Sequence, residues 1–117
     1  MPQQQDSSRR KTDRRLGVSR PFVIPKRFCL MGHTISVNII RPEKWPHGDE
    51  VVGCWDHQRL AIDIIAGLQD TVSGQVFFHE LAHAVATMQA HPLATDEAFI
   101  DQQAGLYHQA FTSFSNR

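Results

Sequence analysis

Residues 71–90 read TVSGQVFFHELAHAVATMQA. Within this stretch Phe77, Leu81, Ala84, Val85 and Met88 recur at i, i+4, i+7, i+8 and i+11, so the segment is expected to be a helix with a single apolar stripe. His79 and His83 lie opposite that stripe, giving the helix one face for a core and another for a cleft. Two imidazoles four residues apart stand one turn above each other, and their nitrogens can converge on one Zn²⁺ at ~2.0–2.1 Å. Glu80 lies about 100° round the helix, where it reaches a metal-bound water rather than the metal, as a general base must. Zinc lowers the pKa of such a water to ~7, so Glu80 can take its proton and later deliver it to a leaving amine. The plain structural alternative is a pair of histidines making ordinary hydrogen bonds on a half-exposed face.

Downstream, His91-Pro92 ends the first helix, and Thr95 offers an N-cap with Asp96 and Glu97 in the first turn. Phe99, Ile100, Gln103, Leu106, Tyr107, Ala110 and Phe114 then mark one face of a second helix running to about Phe114. Glu97 is the candidate third metal ligand, leaving the fourth position to water. From His83 the chain rises ~10 Å along the helix before a connection able to span ~17 Å, so reach is no obstacle. Asp101 stands one turn beyond Glu97, where it can orient a ligand imidazole. Ala86 and Gln89 occupy the places of the Gly and His of the metzincin extension, which excludes that class. Donors for a tetrahedral intermediate are scarce. His108 shares the face of Glu97 and Asp101 but lies roughly 16 Å along the helix, and Tyr107 belongs to the apolar sector. His33, His47, His57 and His91 have no place that the sequence defines.

Upstream the period changes to two. Lys26–Met31 and His33–Arg41 read as strands joined at Gly32, Arg41–Asp49 as a loop, and Glu50–Asp56 with Arg59–Ile65 as an antiparallel hairpin. Strands followed by helices give an α+β domain: a small, twisted, mainly antiparallel sheet of three or four strands, packed against the HExxH helix and a C-terminal helix carrying the third ligand. Arg59–Ile65 precedes the active-site helix and is the expected cleft rim, with Ala61, Ile62 and Asp63 as the edge to which an extended peptide adds.

The chain's 117 residues and even balance of charge suit one folded domain, expected over residues 21–117. The balance hides a split, because residues 1–20 carry six basic residues against two aspartates, +4 in all, and the other 97 carry −4. With only Leu16 and Val18 as large apolar residues beyond Met1, residues 1–20 are expected to be a disordered basic tail. Such a tail allows contact with nucleic acid or an acidic cleft, although a solvated extension is the first expectation. Cys29 and Cys54 form no CxxC pair and are expected to be reduced, buried thiols. The chain shows neither the apolar run of a membrane helix nor a secretory signal, so the expected compartment is the cytoplasm.

His79-Glu80-x-x-His83 followed by Glu97-x-x-x-Asp101 resembles the gluzincins, the thermolysin-like class of zinc metallopeptidases, and the short chain is similar to single-domain minigluzincins. The order from Ile24-Pro25-Lys26-Arg27-Phe28 through Gly53-x-Trp55-Asp56 to Phe77-Phe78-His79-Glu80 also resembles small, mostly phage-encoded metallopeptidases over about residues 24–114. The resemblance implies a zinc-dependent endopeptidase with one Zn²⁺ per chain and a peptide or protein substrate. If phage-encoded, it works in the cytoplasm of a bacterial host. Within it His79, His83 and Glu97 are ligands, Asp101 supports them and Glu80 is the base. The gap from His83 to Glu97 is shorter than in large gluzincins, and no second domain is expected within these residues to supply their substrate wall. The competing function is a catalytically inactive zinc-binding regulatory or interaction module using the basic tail.

Overall fold

The computed structural model describes residues 22–114, so the expected disordered tail over residues 1–20 lies outside the described residues. Strands β1 (Arg27–Leu30) and β2 (His33–Ile40) form an antiparallel hairpin with the two-residue turn Met31-Gly32. Both turn residues have positive φ, 49° and 82°. That geometry matches the right-handed twist of the flanking strands, and glycine carries the larger angle without steric strain. After a 3₁₀ turn at Pro42–Lys44, β3 (Gly53–Asp56) and β4 (Ala61–Ile65) pair antiparallel. The Asp56 carboxylate closes their connection by accepting from the Gln58 and Arg59 amides at 3.0 and 3.2 Å.

Strand β4 lies between β2 and β3, parallel to the first and antiparallel to the second, in the order β1-β2-β4-β3. The domain is therefore α+β with a four-stranded mixed sheet. This corrects the expected cleft rim. Ala61, Ile62 and Asp63 belong to an interior strand whose main chain is paired on both sides, so no peptide can add to it. The free edge on this side is β3. Ala61, Ile62, Asp63 and Ile64 are all buried, as expected for a strand covered on both faces and signalled by its near-continuous apolar run.

Two helices, α1 (Asp70–Met88) and α2 (Glu97–Thr112), complete the fold. Ile35, Val37, Ile62 and Ile64 of the sheet join Phe77, Phe78, Ala82, Ala86, Ile100 and Ala104 in one buried cluster. Each large apolar side chain in it contributes roughly 1.5–3 kcal/mol on burial. The buried arc of α1 is wider than one stripe: Phe78, Ala82 and Ala86 are buried, whereas Leu81, Val85 and Met88 are half-buried. The small side chains Ala82, Ala86 and Ala104 let the two helices approach closely, and alanines contribute little to a hydrophobicity pattern. Helix α1 ends where the Ala90 amide donates to Thr87 C=O and the His91 amide to Ala86 C=O, both at 2.9 Å, with Ala90 at φ 55°. These paired bonds satisfy the last carbonyls and reverse the chain toward α2. The N-cap of α2 is Asp96 rather than the expected Thr95, its Oδ1 accepting from the Phe99 amide at 3.0 Å.

On the face of the sheet away from the helices, the connection between β2 and β3 brings His47 over Asp63. Fully buried Asp63 accepts from Asn38 Nδ2 at 2.9 Å, His47 Nε2 at 2.8 Å and Arg59 Nη1 at 2.8 Å. Burial pushes this carboxyl upward, but the hydrogen bonds from Arg59, His47 and Asn38 outweigh it and hold the pKa at about 2. Asp63 therefore anchors a loop to the sheet instead of lining a cleft. Both cysteines are free; Cys29 is exposed, contrary to its expected burial, and Cys54 is half-buried. Burial pushes the Cys54 thiol up. No helix among the described residues is long and apolar enough to cross a membrane.

Candidate metal centre

One turn of α1 and the first two turns of α2 bring five of the anticipated residues together. His79 and His83 stand on the same side of α1 with ring centroids 5.0 Å apart. Glu97 faces both, its Oε1 lying 3.1 Å from His79 Nε2 and its Oε2 3.3 Å from His83 Nε2. One ligand atom from each of the three residues falls within a 4.8 Å group. Those N···O separations resemble the edge of about 3.3–3.4 Å in a tetrahedron whose arms measure ~2.0–2.1 Å.

Hydrogen bonding on the far side of each ring defines what the near side can do. His83 Nδ1 meets the Ala94 carbonyl at 2.9 Å, and His79 Nδ1 meets Asp101 Oδ1 at 3.0 Å. A carbonyl and an ionised carboxylate only accept, so both Nδ1 atoms donate, and in the neutral form of each ring the lone pair lies at Nε2. Both Nε2 atoms face the Glu97 carboxylate, an acceptor, so this point calls for positive charge, carried by protons on the imidazoles or by a metal ion among the three side chains. Two nitrogens and a carboxylate form a donor set that fits a metal ion such as zinc.

Glu80 stands beside this group and belongs to the wall formed by β3. It is 9 % exposed, and the Trp55 backbone amide donates to its carboxylate. Burial raises its pKa, opposed by positive charge on His79 and His83 and by the Trp55 amide. The approach of β3 to α1 depends on Gly53: a Cβ there lies 2.5 Å from Val76 Cγ1 and 3.2 Å from Glu80 Cγ. Gly53 and Trp55 are the site's contributors that motif reading missed as such. A glycine inside a strand is a sign of close approach by another element. Gly53→Ala is expected to destabilise the domain by about 1–3 kcal/mol, because the β-branched Val76 has no flexible end to move aside. Urea unfolding checks this, and an unchanged midpoint contradicts the close fit.

The remaining histidines take structural places or lie away from the cluster. His91 accepts from the Leu93 amide at 3.0 Å and stacks on Phe99. His47 binds Asp63, and His57 stacks on Trp55 with centroids 6.0 Å apart. His108 packs edge-on against Phe78 and, with Asp101 and Gln75, lines a 360 Å³ pocket that extends from His79 along the two helices. Tyr107 lines an apolar groove with Leu81 and Phe111. No protein-family model, curated protein or solved structure matches this chain.

Proposed function

We propose that the chain is a zinc-dependent metallopeptidase of gluzincin type, with one Zn²⁺ held by His79, His83 and Glu97. The observation that carries this reading is the convergence of both Nε2 atoms on the two Glu97 oxygens while each Nδ1 is held by an acceptor behind it, a donor set that suits a metal ion. A zinc ion held by His79, His83 and Glu97 would supply Lewis acidity to an attacking water and to a peptide carbonyl. Glu80 supplies the proton traffic. Its carboxylate, oriented by the Trp55 amide, takes a proton from the water as the water oxygen bonds to the carbonyl carbon. It returns that proton to the amide nitrogen as the C–N bond breaks. Strand β3 is the sheet edge beside Glu80, and its outward main-chain groups other than the Trp55 amide offer partners to an extended peptide, taking the rim role that sequence reading gave to Arg59–Ile65.

Asp101 holds the His79 ring with its Nδ1 proton directed away from Glu97. Asp101→Ala is therefore expected to weaken zinc ~10–100-fold without abolishing binding. Competition with a chromophoric chelator measures this, and wild-type affinity in the variant makes Asp101 a bystander. The function itself is tested by metal analysis and by cleavage of an unstructured protein with and without chelator. One zinc per chain and chelator-sensitive cleavage are the expected results. A zinc-loaded chain that cuts nothing favours a binding module instead.

A further inference from the structure

Across α1 from the candidate centre lies an open groove of about 470 Å³. It is lined by Phe28 and Leu30 of β1, Leu81 and Val85 of α1, and Tyr107 and Phe111 of α2. Leu81 and Val85 each follow a candidate histidine by two residues, which turns them about 160° away from it. The groove therefore opens on the opposite side of α1 from the cleft. An apolar groove of this kind is an attachment surface.

We infer that the groove receives the chain's own segment from Leu16 to Val18. The described chain starts at Phe22, and Phe22 is already part of the groove wall, its ring 4.7 Å from Phe78 and 5.6 Å from Phe77. The 21 preceding residues thus depart from the groove itself. Val18 is four residues from Phe22 and Leu16 six, distances of up to ~14 and ~20 Å in extended chain. They are the only large apolar side chains between residues 2 and 20. Covalent attachment gives this short segment an effective concentration in the millimolar range, well above that of a second copy in dilute solution. Docked behind α1, the segment leaves the His79, Glu80 and His83 side open, so it acts as a strap on the fold and not as a plug in the cleft.

The test compares the full chain with its Leu16→Ser/Val18→Ser double variant. The variant is expected to bind an apolar reporter dye several-fold more strongly and to melt roughly 4–8 °C lower, while its zinc affinity stays unchanged. In the wild type, methyl protons of Leu16 and Val18 should show nuclear Overhauser contacts to the rings of Phe28, Tyr107 and Phe111. Mixing labelled with unlabelled chains separates contacts within a chain from those between chains. Contacts within one chain support the assignment. Contacts only between chains hand the groove to a second copy and overturn it, as does a double variant with unchanged dye binding and melting together with no contacts at all.

Discussion

Replacing Glu80 with glutamine should leave zinc bound while turnover falls by ~10²–10⁴-fold, the effect of a lost general base. Glutamine keeps the size of the side chain and an oxygen that can accept from the Trp55 amide, but it cannot take a proton from water. Glu97→Ala should fail in a different way. It removes the carboxylate that faces both His79 and His83 at 3.1 and 3.3 Å, so zinc affinity itself falls and excess zinc restores part of the activity. Neither substitution should unfold the domain: Glu97 is exposed, and a neutral amide in place of the Glu80 carboxylate relieves a buried charge. Zinc titration and peptide hydrolysis on the same preparations separate the two roles. If Glu80→Gln hydrolyses peptides at the wild-type rate, Glu80 is not the base.

Asp63→Ala should be the most destabilising single change on the opposite face of the sheet, at about 3–5 kcal/mol. The substitution deprives Arg59, His47 and Asn38 of their common acceptor and frees the loop that His47 anchors. A loss of that size is comparable with the ~5–15 kcal/mol that holds a typical domain folded. The same carboxylate predicts an acid limb. Its pKa falls from the usual 3.8 to about 2 on folding, so its contribution is fully present above 3.8 and fades as pH drops toward 2. Integrated over that interval it amounts to roughly 2 kcal/mol. Urea midpoints measured from pH 6 downward should show this loss in the wild type and its absence in Asp63→Asn. Equal acid sensitivity in both assigns the effect to other carboxylates.

Much of this arrangement was legible because its signals are local. Helical spacing put His79 and His83 on one face, and a short connection placed Glu97 and Asp101 within reach. The strand junction at Gly32 and the hairpin of Glu50–Asp56 with Arg59–Ile65 followed from alternation and punctuation. Strand order was not local information: β4 follows β3 in the chain yet inserts beside β2, and only its apolar run from Ala61 to Ile65 hinted that both faces were covered. Its place just before the active-site helix made an interior strand read as the cleft rim. Likewise Phe78, Ala82 and Ala86 gave no separate stripe, so the flank of α1 covered by α2 went unread. The exposed Cys29 illustrates a third limit, since a cysteine in an apolar stretch still points outward when its strand alternates.

The central claim is that His79 and His83 present Nε2 lone pairs to a cation shared with Glu97. Nitrogen-15 NMR of the histidine rings, recorded while zinc is titrated to one equivalent, measures this directly. Both rings are predicted to carry their proton on Nδ1 in the zinc-loaded state, with both Nε2 resonances shifted by metal coordination and the change complete at one zinc per chain. A zinc-saturated protein in which His79 and His83 keep protons on Nε2, bonded to Glu97, contradicts it.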